Sequence, residues 1–358
     1  MATTVRVGGH NDLTDVAGVA VGHHQRTGRG WLTGTTVVVP PPGTTGGVDV
    51  RGGGPATRDT DALAPTTMVS QVDAVCFTGG SAYGLDVAGG VMAWLEERGR
   101  GFPVGDAAGQ VVPIVPTAAV FDLGVGGRFA NRPDASFGHR AAAAARDRRV
   151  RQGTVGAGTG TRGGSLKGGV GSASAVTADG VTIGALVVVN AAGSVLDDRT
   201  GELWGARLGL GDEFASLQTP TRAEVAAFAA APAGSTTAVP FNTTLAVIAT
   251  DVSLTKPECV RLAGAGHDGL ARAISPVHGY TDGDVVIGLA TGKADLGGRL
   301  DRSDLRSASL RFALLGGLFA VAADVVSRAI VHAVLHATSA GPLTSYTDRF
   351  PSAHGPTR

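Results

Sequence analysis

Short apolar runs separated by turns restrict the fold of this chain more than any other feature. The runs "VDAVCF" (72–77), "IGALVVV" (183–189) and "LAVI" (245–248) hold almost no polar residue and are too short for helices, which is typical of strands buried on both faces. Helical periodicity predicts helices at residues 85–99, 141–148, 257–274 and about 304–337. Strands and helices alternate without a strict βαβ rhythm, so the sequence favours sheets layered with helices over a doubly wound parallel sheet.

Length and charge narrow the class of protein further. The chain has 358 residues, more than the roughly 250–300 that one hydrophobic core usually serves, so two domains or one large layered domain are possible. A formal net charge of zero argues against nucleic acid or an anionic membrane as a partner. The apolar stretch 310–337 is interrupted by Asp324, Arg328 and His332, which predicts a buried helix and no membrane span.

Two features predict a cytoplasmic protein. The N-terminal residues lack the apolar segment of a secretory signal. The chain has two cysteines, Cys76 and Cys259, and each lies in an apolar segment, which is typical of reduced, buried thiols.

Composition also suggests where order ends. Ala, Pro, Ser and Thr dominate residues 211–240, which predicts a mobile connection. The last twenty residues, 339–358, are expected to form a loose tail, which leaves 1–338 as a single domain.

Three small polar residues, Asn242, Thr243 and Thr244, stand directly before the apolar run at 245–248. They match an N-glycosylation sequon, which has no use without a secretory signal, and they could start a strand through an Asx turn. The third interpretation is a self-cleaving nucleophile. In that chemistry the Thr243 hydroxyl attacks the preceding carbonyl, and hydrolysis of the ester leaves an α-amine that can deprotonate the same hydroxyl. It needs a small residue before the threonine, a strand after it and a movable segment upstream, and the sequence has all three.

Two other motifs carry weaker signals. "GTGTRG" (158–163) matches a dinucleotide-binding spacing, but the glycine-rich residues that follow do not predict the helix start that a phosphate site requires. Ser81 lies between a predicted strand and a helix, as a hydrolase serine would. However, Tyr83 replaces the last glycine of G-x-S-x-G, so a helix cap is favoured for Ser81.

The acidic pair Asp282 and Asp284 allows two interpretations. One is a tight turn, and the other is a carboxylate at a strand edge that orients the amine and hydroxyl of Thr243. No group of His, Cys and carboxylates has zinc-ligand spacing, so no metal is expected.

Taken together, these segments resemble one family: the β-aminopeptidases, the L-aminopeptidase/D-amidase-esterases and the 6-aminohexanoate-oligomer hydrolases. The resemblance extends from about Leu13 to Ala337. Its landmarks, in order, are "LTDVAGVAVGH", "TGTTVVV", "DVRGGGPATRDTDAL", "FTGGSAYGLDVAGGV", "VPIVPTAAVFDL", "VGAGTG", "GALVVVNAAG", "NTTLAVIATDV" and "DGDVVIGLATG". The resemblance implies an α/β (α+β) fold, a four-layer αββα sandwich of the N-terminal-nucleophile type.

The resemblance also implies roles for individual residues. It implies autocleavage between Asn242 and Thr243, which would give an α chain of residues 1–242 and a β chain of residues 243–358. An Asn-Thr junction is that of the nylon-oligomer and pantetheine hydrolase branch. Thr243 is then the nucleophile, Asn190 an oxyanion donor and Asp282 the carboxylate that orients the nucleophile.

Three positions depart from the nylon-oligomer hydrolases. Phe121 stands where they have a tyrosine, and Tyr280 stands where they have a second aspartate. Their active-site lysine aligns with Ser165, so Lys167 is expected to reach the same place, with Arg162 as the fallback.

The resemblance implies a cytoplasmic, self-processing N-terminal-threonine amidohydrolase that needs no cofactor. Phe121, Tyr83 and Tyr280 are predicted to line the substrate. Expected substrates are small linear amides: β-aminoacyl or D-aminoacyl peptides, aminohexanoate oligomers or pantetheine-like amides. The expected assembly is a homo-oligomer, a tetramer of αβ heterodimers, without nucleic acid or membrane. Two alternatives stay open, an acyltransferase of the ornithine acetyltransferase type and a non-catalytic ligand-binding or scaffold homologue.

Overall fold

A computed structural model describes residues 5–107, 109–231, 241–294 and 305–353. The strands in chain order are β1 Val5–Val7, β2 Ala20–Gly28, β3 Trp31–Val39, β4 Thr45–Arg51, β5 Thr57–Arg58, β6 Val75–Thr78, β7 Phe102–Pro103, β8 Val111–Val112, β9 Thr117–Ala119, β10 Arg162–Gly163, β11 Leu166–Lys167, β12 Gly169–Thr177, β13 Thr182–Val189, β14 Leu245–Val252 and β15 Asp284–Ala294. The α-helices are α1 Ser81–Gly84, α2 Val87–Glu96, α3 Ala135–Ala143, α4 Arg222–Ala229, α5 Lys256–Ala273, α6 Leu305–Leu335 and α7 Tyr346–Arg349. Short 3₁₀ helices lie at Leu13–Asp15, Asp61–Leu63, Gly156–Gly158, Trp204–Leu208 and Pro351–Ala353.

Two sheets contain most of the strands. The first has the order β1-β12-β13-β14-β15-β4, and the second has the order β2-β3-β6-β9-β5. Within the first sheet, β14 pairs antiparallel with β13 and parallel with β15. Two ribbons, β7–β8 and β10–β11, stand apart from these sheets.

The apolar run of β14 is buried on both of its faces. Leu245 and Val247 point into a core shared with the second sheet. Ala246 and Ile248 point the other way, into the core under α5 and α6. Because successive strand residues face opposite sides, a strand between two cores needs apolar residues at every position, which explains the unbroken run.

Helices complete the layers on the outside. The outer face of the first sheet packs against α5 and α6, and the outer face of the second sheet packs against α2 and α3. The order is therefore helix, sheet, sheet, helix. The predicted αββα sandwich is confirmed.

The long helix α6 is part of the core. Its segment Ser309–Leu335 is long and apolar enough to cross a membrane by length and composition, with a mean hydropathy of 1.8. However, 67% of the apolar 18-residue stretch within this segment is buried inside the fold. The helix packs closely on β12, where a Cβ added to Gly171 would lie 1.9 Å from the backbone oxygen of Ala329. The prediction of a buried helix at 310–337 is confirmed.

One helix lies elsewhere than predicted. Instead of residues 141–148, α3 spans Ala135–Ala143, and it begins where the Asp134 side chain accepts a hydrogen bond from the Ser136 N–H. It ends early because Arg146 pairs with Val21 of β2 in an antiparallel bridge. A tertiary contact thus overrides the helix propensity of the alanine run.

The expected loose tail is wrong for residues 339–353. They form α7 and a 3₁₀ turn whose side chains Tyr346, Phe350 and Ala353 are buried in the core under α6. Buried aromatic residues anchor this segment, which composition does not reveal. Residues 354–358 lie outside the described part.

The expected mobile connection is partly a helix. Thr221 and Glu224 form a reciprocal capping box at the start of α4, and this signal predicts a helix start. The remainder, residues 232–240, lies outside the described residues.

Candidate active site

Strand pairing brings the predicted site residues to one edge of the first sheet. In the antiparallel pair Val188 lies opposite Leu245, so Asn190 follows the end of β13 beside the start of β14. In the parallel pair Leu245 lies opposite Val285, so the beginning of β15 lies on the other side. Thr243, just before β14, therefore lies between Asn190 and the acidic pair at 282 and 284.

Thr243 is buried, and both its backbone and its hydroxyl are held. Its N–H donates to the backbone oxygen of Asn190 at 2.7 Å. Its hydroxyl donates to the carbonyl oxygen of Asn242, with 2.5 Å between the two oxygens. The hydroxyl thus lies beside the peptide group that the sequence predicts it to attack.

A second donor reaches the same carbonyl oxygen. The N–H of Gly283 donates to the oxygen of Asn242 at 3.1 Å, and the N–H of Asn242 donates to the oxygen of Thr281 at 3.3 Å. These bonds hold Asn242 as a short parallel bridge to the segment before β15. A backbone N–H aimed at this oxygen would stabilise the negative charge that develops there during attack.

The Asp282 carboxylate is buried between two loops. One oxygen accepts from the N–H of Gly279 at 2.9 Å, and the other accepts from the N–H of Ala192 at 3.3 Å. Burial, and then the nearby charge of Asp284, raise the pKa of Asp282. The contact with Ala192 ties this carboxylate to the loop that carries Asn190.

Asp284 touches the residue next to the nucleophile, a contact that sequence reasoning missed. Its Oδ1 accepts from the N–H of Thr244 at 2.6 Å, and its Oδ2 lies 2.7 Å from Nδ1 of His278. The available signal was the spacing Asp-x-Asp, which presents two carboxylates from one extended segment.

Both ends of the Asn190 side-chain amide have partners. Its oxygen accepts from the N–H of Arg162 at 3.1 Å, and its nitrogen donates to the backbone oxygen of Phe121 at 3.3 Å. An amide nitrogen carries two hydrogens, and Phe121 takes one of them. The other is what an oxyanion donor would use.

Lys167 is fully buried on the ribbon that also carries Arg162. Its ammonium donates to the backbone oxygens of Gly158 and Gly168, at 2.7 and 2.8 Å. Burial lowers the pKa of Lys167 to about 7, against the opposing charge of Asp122. Arg162 lies opposite Lys167 in the ribbon and meets Asn190 through its backbone N–H.

Asp122, beside Phe121, is a second residue that sequence reasoning did not single out. Its Oδ1 accepts from the N–H of Gly80 at 2.7 Å. A Cβ added to Gly79 would lie 2.2 Å from both Asp122 Oδ2 and the Thr33 hydroxyl oxygen, so only glycine fits there. Burial raises the pKa of Asp122 to about 6. The signal was an aspartate directly after a predicted apolar strand.

The residues predicted to line the substrate lie at different depths. The rings of Phe121 and Phe241 are in contact, with 5.5 Å between their centroids. Phe241 lies two residues before Thr243 in the chain. The Tyr83 ring is half exposed beneath the guanidinium of Arg132, and Tyr280 is 92% exposed. Among the described residues, no hydrogen bond or ring contact joins either tyrosine to Thr243.

Ser81 does not cap α1 with its side chain. The N-cap is Gly80 and forms no side-chain cap, so the expectation of a serine cap is wrong. Ser81 itself has a φ of 52°, in the left-handed region, and its N–H donates to the backbone oxygen of Val120. A left-handed Gly80 turns the chain into the helix without a polar cap.

Comparison with known proteins identifies the family of this chain. The chain matches the model of peptidase family S58 over residues 11–345. It is 49% identical over 353 residues to an uncharacterized aminopeptidase of Mycobacterium tuberculosis, covering 96% of this chain and 99% of that protein. It is 31% identical over 292 residues to a 6-aminohexanoate-oligomer endohydrolase of Kocuria, covering 79% of this chain and 75% of that protein.

Solved structures share the fold. A β-aminopeptidase of Burkholderia has a TM-score of 0.66 at 23% identity, covering 100% of this chain and 98% of that chain. The L-aminopeptidase D-Ala-esterase/amidase of Ochrobactrum anthropi, described as a variant of the Ntn hydrolase fold, also has a TM-score of 0.66, at 19% identity, covering 96% of this chain and 92% of that chain. The chain belongs to peptidase family S58 and is a hydrolase that acts on peptide or amide bonds.

Proposed function

We propose that the chain cleaves itself between Asn242 and Thr243 and then uses Thr243 as an N-terminal nucleophile on small linear amides. One observation carries this proposal. The Asn242 carbonyl oxygen accepts from the Thr243 hydroxyl and from the Gly283 N–H at once. The attacking oxygen and a donor for the resulting oxyanion are therefore already arranged around one peptide group.

The self-cleavage step is an N-to-O acyl shift. The Thr243 oxygen adds to the carbonyl carbon of Asn242, the C–N bond breaks, and the hydroxyl proton ends on the departing nitrogen, which becomes the α-amine. Water then hydrolyses the ester. The products are an α chain that ends in the Asn242 carboxylate and a β chain that begins with Thr243.

In turnover the new α-amine is the proton carrier. It accepts the hydroxyl proton as Thr243 attacks the substrate carbonyl, and it passes that proton to the leaving amine. The acyl-enzyme is hydrolysed by water that the same amine activates. The Asn190 amide donates to the oxyanion, a contribution of about 3–4 kcal/mol in comparable sites. Lys167, with a pKa of about 7, can exchange a proton near neutral pH.

The proposed substrates are linear amides with little bulk beside the carbonyl, such as β-aminoacyl, D-aminoacyl, aminohexanoyl or pantetheine-like amides. Two observations support this class. The Kocuria relative is named for aminohexanoate oligomers. The Asn242-Thr243 junction of this chain resembles that of the nylon-oligomer and pantetheine hydrolase branch.

Intact mass spectrometry of the purified protein tests the self-cleavage. We expect two fragments, of about two-thirds and one-third of the precursor mass, with threonine 243 at the start of the shorter one. Thr243→Ala should remain one chain and lose amidase activity, whereas Ser81→Ala should be processed normally. Cleavage of the Thr243→Ala variant, or a short fragment with another first residue, would contradict the proposal.

A panel of β-, D- and ω-amino amides then defines the acyl group. Supplying N-acetylornithine with glutamate separates hydrolysis from acyl transfer. Formation of N-acetylglutamate faster than free acetate would assign the acyltransferase alternative instead.

A further inference from the structure

A histidine outside the predicted site is linked to the nucleophile through one carboxylate. His278 Nδ1 lies 2.7 Å from Oδ2 of Asp284, and Oδ1 of the same carboxylate accepts from the Thr244 N–H at 2.6 Å. The side chains of His278 and Asp284 are 18% and 2% exposed. Two short contacts in a buried environment therefore connect the imidazole ring to the peptide unit that follows Thr243.

The backbone of His278 is held in a costly conformation. Its φ is 57°, in the left-handed region that non-glycine residues rarely adopt. The next residue, Gly279, donates its N–H to the carboxylate of Asp282. Such backbone strain persists only where the surrounding contacts over-determine it, and strained residues cluster at functional sites.

The far side of the ring faces a second histidine. The rings of His278 and His267 lie 4.7 Å apart at 71°, edge to face. His267 Nε2 lies 3.0 Å from the backbone oxygen of Asp49, so it carries the proton, and burial lowers the pKa of His267 to about 4. His267 is therefore neutral at pH 7. The His267 ring packs against the His278 ring. The carboxylates of Asp284 and Asp282 face His278 from the side of β15.

We infer that His278 is a positioning residue for Thr243: it orients the Asp284 carboxylate, which in turn fixes the peptide N–H that follows the nucleophile. Nδ1 donates its hydrogen to Oδ2, so that Oδ1 is directed at the Thr244 N–H. Without this donor the carboxylate can rotate about its Cβ–Cγ bond and release Thr244. The role in catalysis rests on the proposed function of Thr243, but the orientation of Asp284 does not.

Hydrogen exchange in the Thr243→Ala background tests the orientation without any catalysis. We expect His278→Ala to speed exchange of the Thr244 amide by about 10-fold or more, because its acceptor is no longer held. His278→Asn should restore slow exchange, since asparagine tolerates a positive φ and its amide nitrogen can replace Nδ1 as the donor. Unchanged exchange in His278→Ala would overturn the inference, whether or not the wild-type chain cleaves itself.

Kinetics of the processed enzyme test the consequence. His278→Ala should lower kcat and the rate of self-cleavage by about 10- to 100-fold with little change in KM, because a misplaced nucleophile costs rate more than binding. His278→Asn should recover most of both rates. His139→Ala is the matched control, since His139 also pairs with a carboxylate, Glu97, but does so on the surface between outer helices. A loss that asparagine does not rescue, in a variant with wild-type melting temperature, would refute the positioning role.

Discussion

Replacing Lys167 by methionine should change how the stability of the protein depends on pH. Lys167 is fully buried, and burial lowers its pKa from the usual 10.5 of a lysine to about 7. Between these two values the unfolded chain keeps a proton on Lys167 that the folded protein has released. Because the unfolded state then binds more protons, the free energy of unfolding must rise with pH in this window.

The size of the effect follows from the two pKa values. At pH 7 the mismatch costs the folded state about 4 kcal/mol, and at pH 9.5 it costs about 1.4 kcal/mol, so the wild-type side chain should regain about 3 kcal/mol. Methionine has a similar length but no proton to exchange, so its variant should lack this rise. Loss of the hydrogen bonds to Gly158 and Gly168 adds a constant offset that does not depend on pH.

The assay is urea unfolding at pH 7 to 9.5, with both proteins in the Thr243→Ala background so that each is one chain, and at one protein concentration. Other lysines, tyrosines and cysteines titrate equally in both proteins and cancel in the difference. The difference in unfolding free energy should change by about 3 kcal/mol across the range. Parallel pH profiles would show that Lys167 keeps an ordinary pKa and would refute the argument from burial.

Three further predictions concern packing, charge and thiols. Gly171→Ala should lower the free energy of unfolding by about 3 kcal/mol, because the new Cβ would lie 1.9 Å from the backbone of α6. Gly316→Ala is the control within α6: its Cβ would have nothing within 4 Å, so the variant should raise the free energy of unfolding by about 0.5–1 kcal/mol. Thermal melts compare the two variants, and equal effects would contradict the close contact at Gly171. Although burial opposes the shift, hydrogen bonds from His332 and Arg328 hold the pKa of Glu213 well below its usual range, so its contribution is present above about pH 4.5 and is lost as pH falls. Glu213→Gln should therefore lower stability by about 3–5 kcal/mol at pH 7 and flatten the acid limb of the stability profile, and an unchanged limb would count against this network. Cys76 and Cys259 are buried, and burial raises the pKa of both thiols, to about 12 for Cys259. A thiol reagent should therefore label neither cysteine in the native protein and both in urea, and rapid labelling of the native protein would contradict their burial.

Much of the layered fold is predictable from the chain, for a local reason. A strand between two cores has no solvent-facing side, so β13 and β14 appear in the sequence as unbroken apolar runs. The helices α5 and α6 likewise follow from apolar spacing, and a capping box of Thr255 and Glu258 begins α5. Where the predictions are wrong, as at α3 and the C-terminal segment, a contact distant in sequence decides the outcome.

The candidate site divides in the same way. The Asn242–Thr243 junction and the Asp-x-Asp segment are visible as local patterns. No local pattern shows that His278 reaches Asp284 or that Lys167 is enclosed near Asp122 with a lowered pKa. These relations depend on burial and on pairing between remote strands.

By itself, the sequence determined which segments must be buried and which residue to propose as a self-cleaving nucleophile, since both depend on side chains that are adjacent in the chain. Only the tertiary structure decided that β13 runs antiparallel and β15 parallel to β14, and this places Asn190 and Asp284 on either side of Thr243. Hydrogen-bond register between strands is a long-range property, and no local pattern of residues specifies which strands become neighbours.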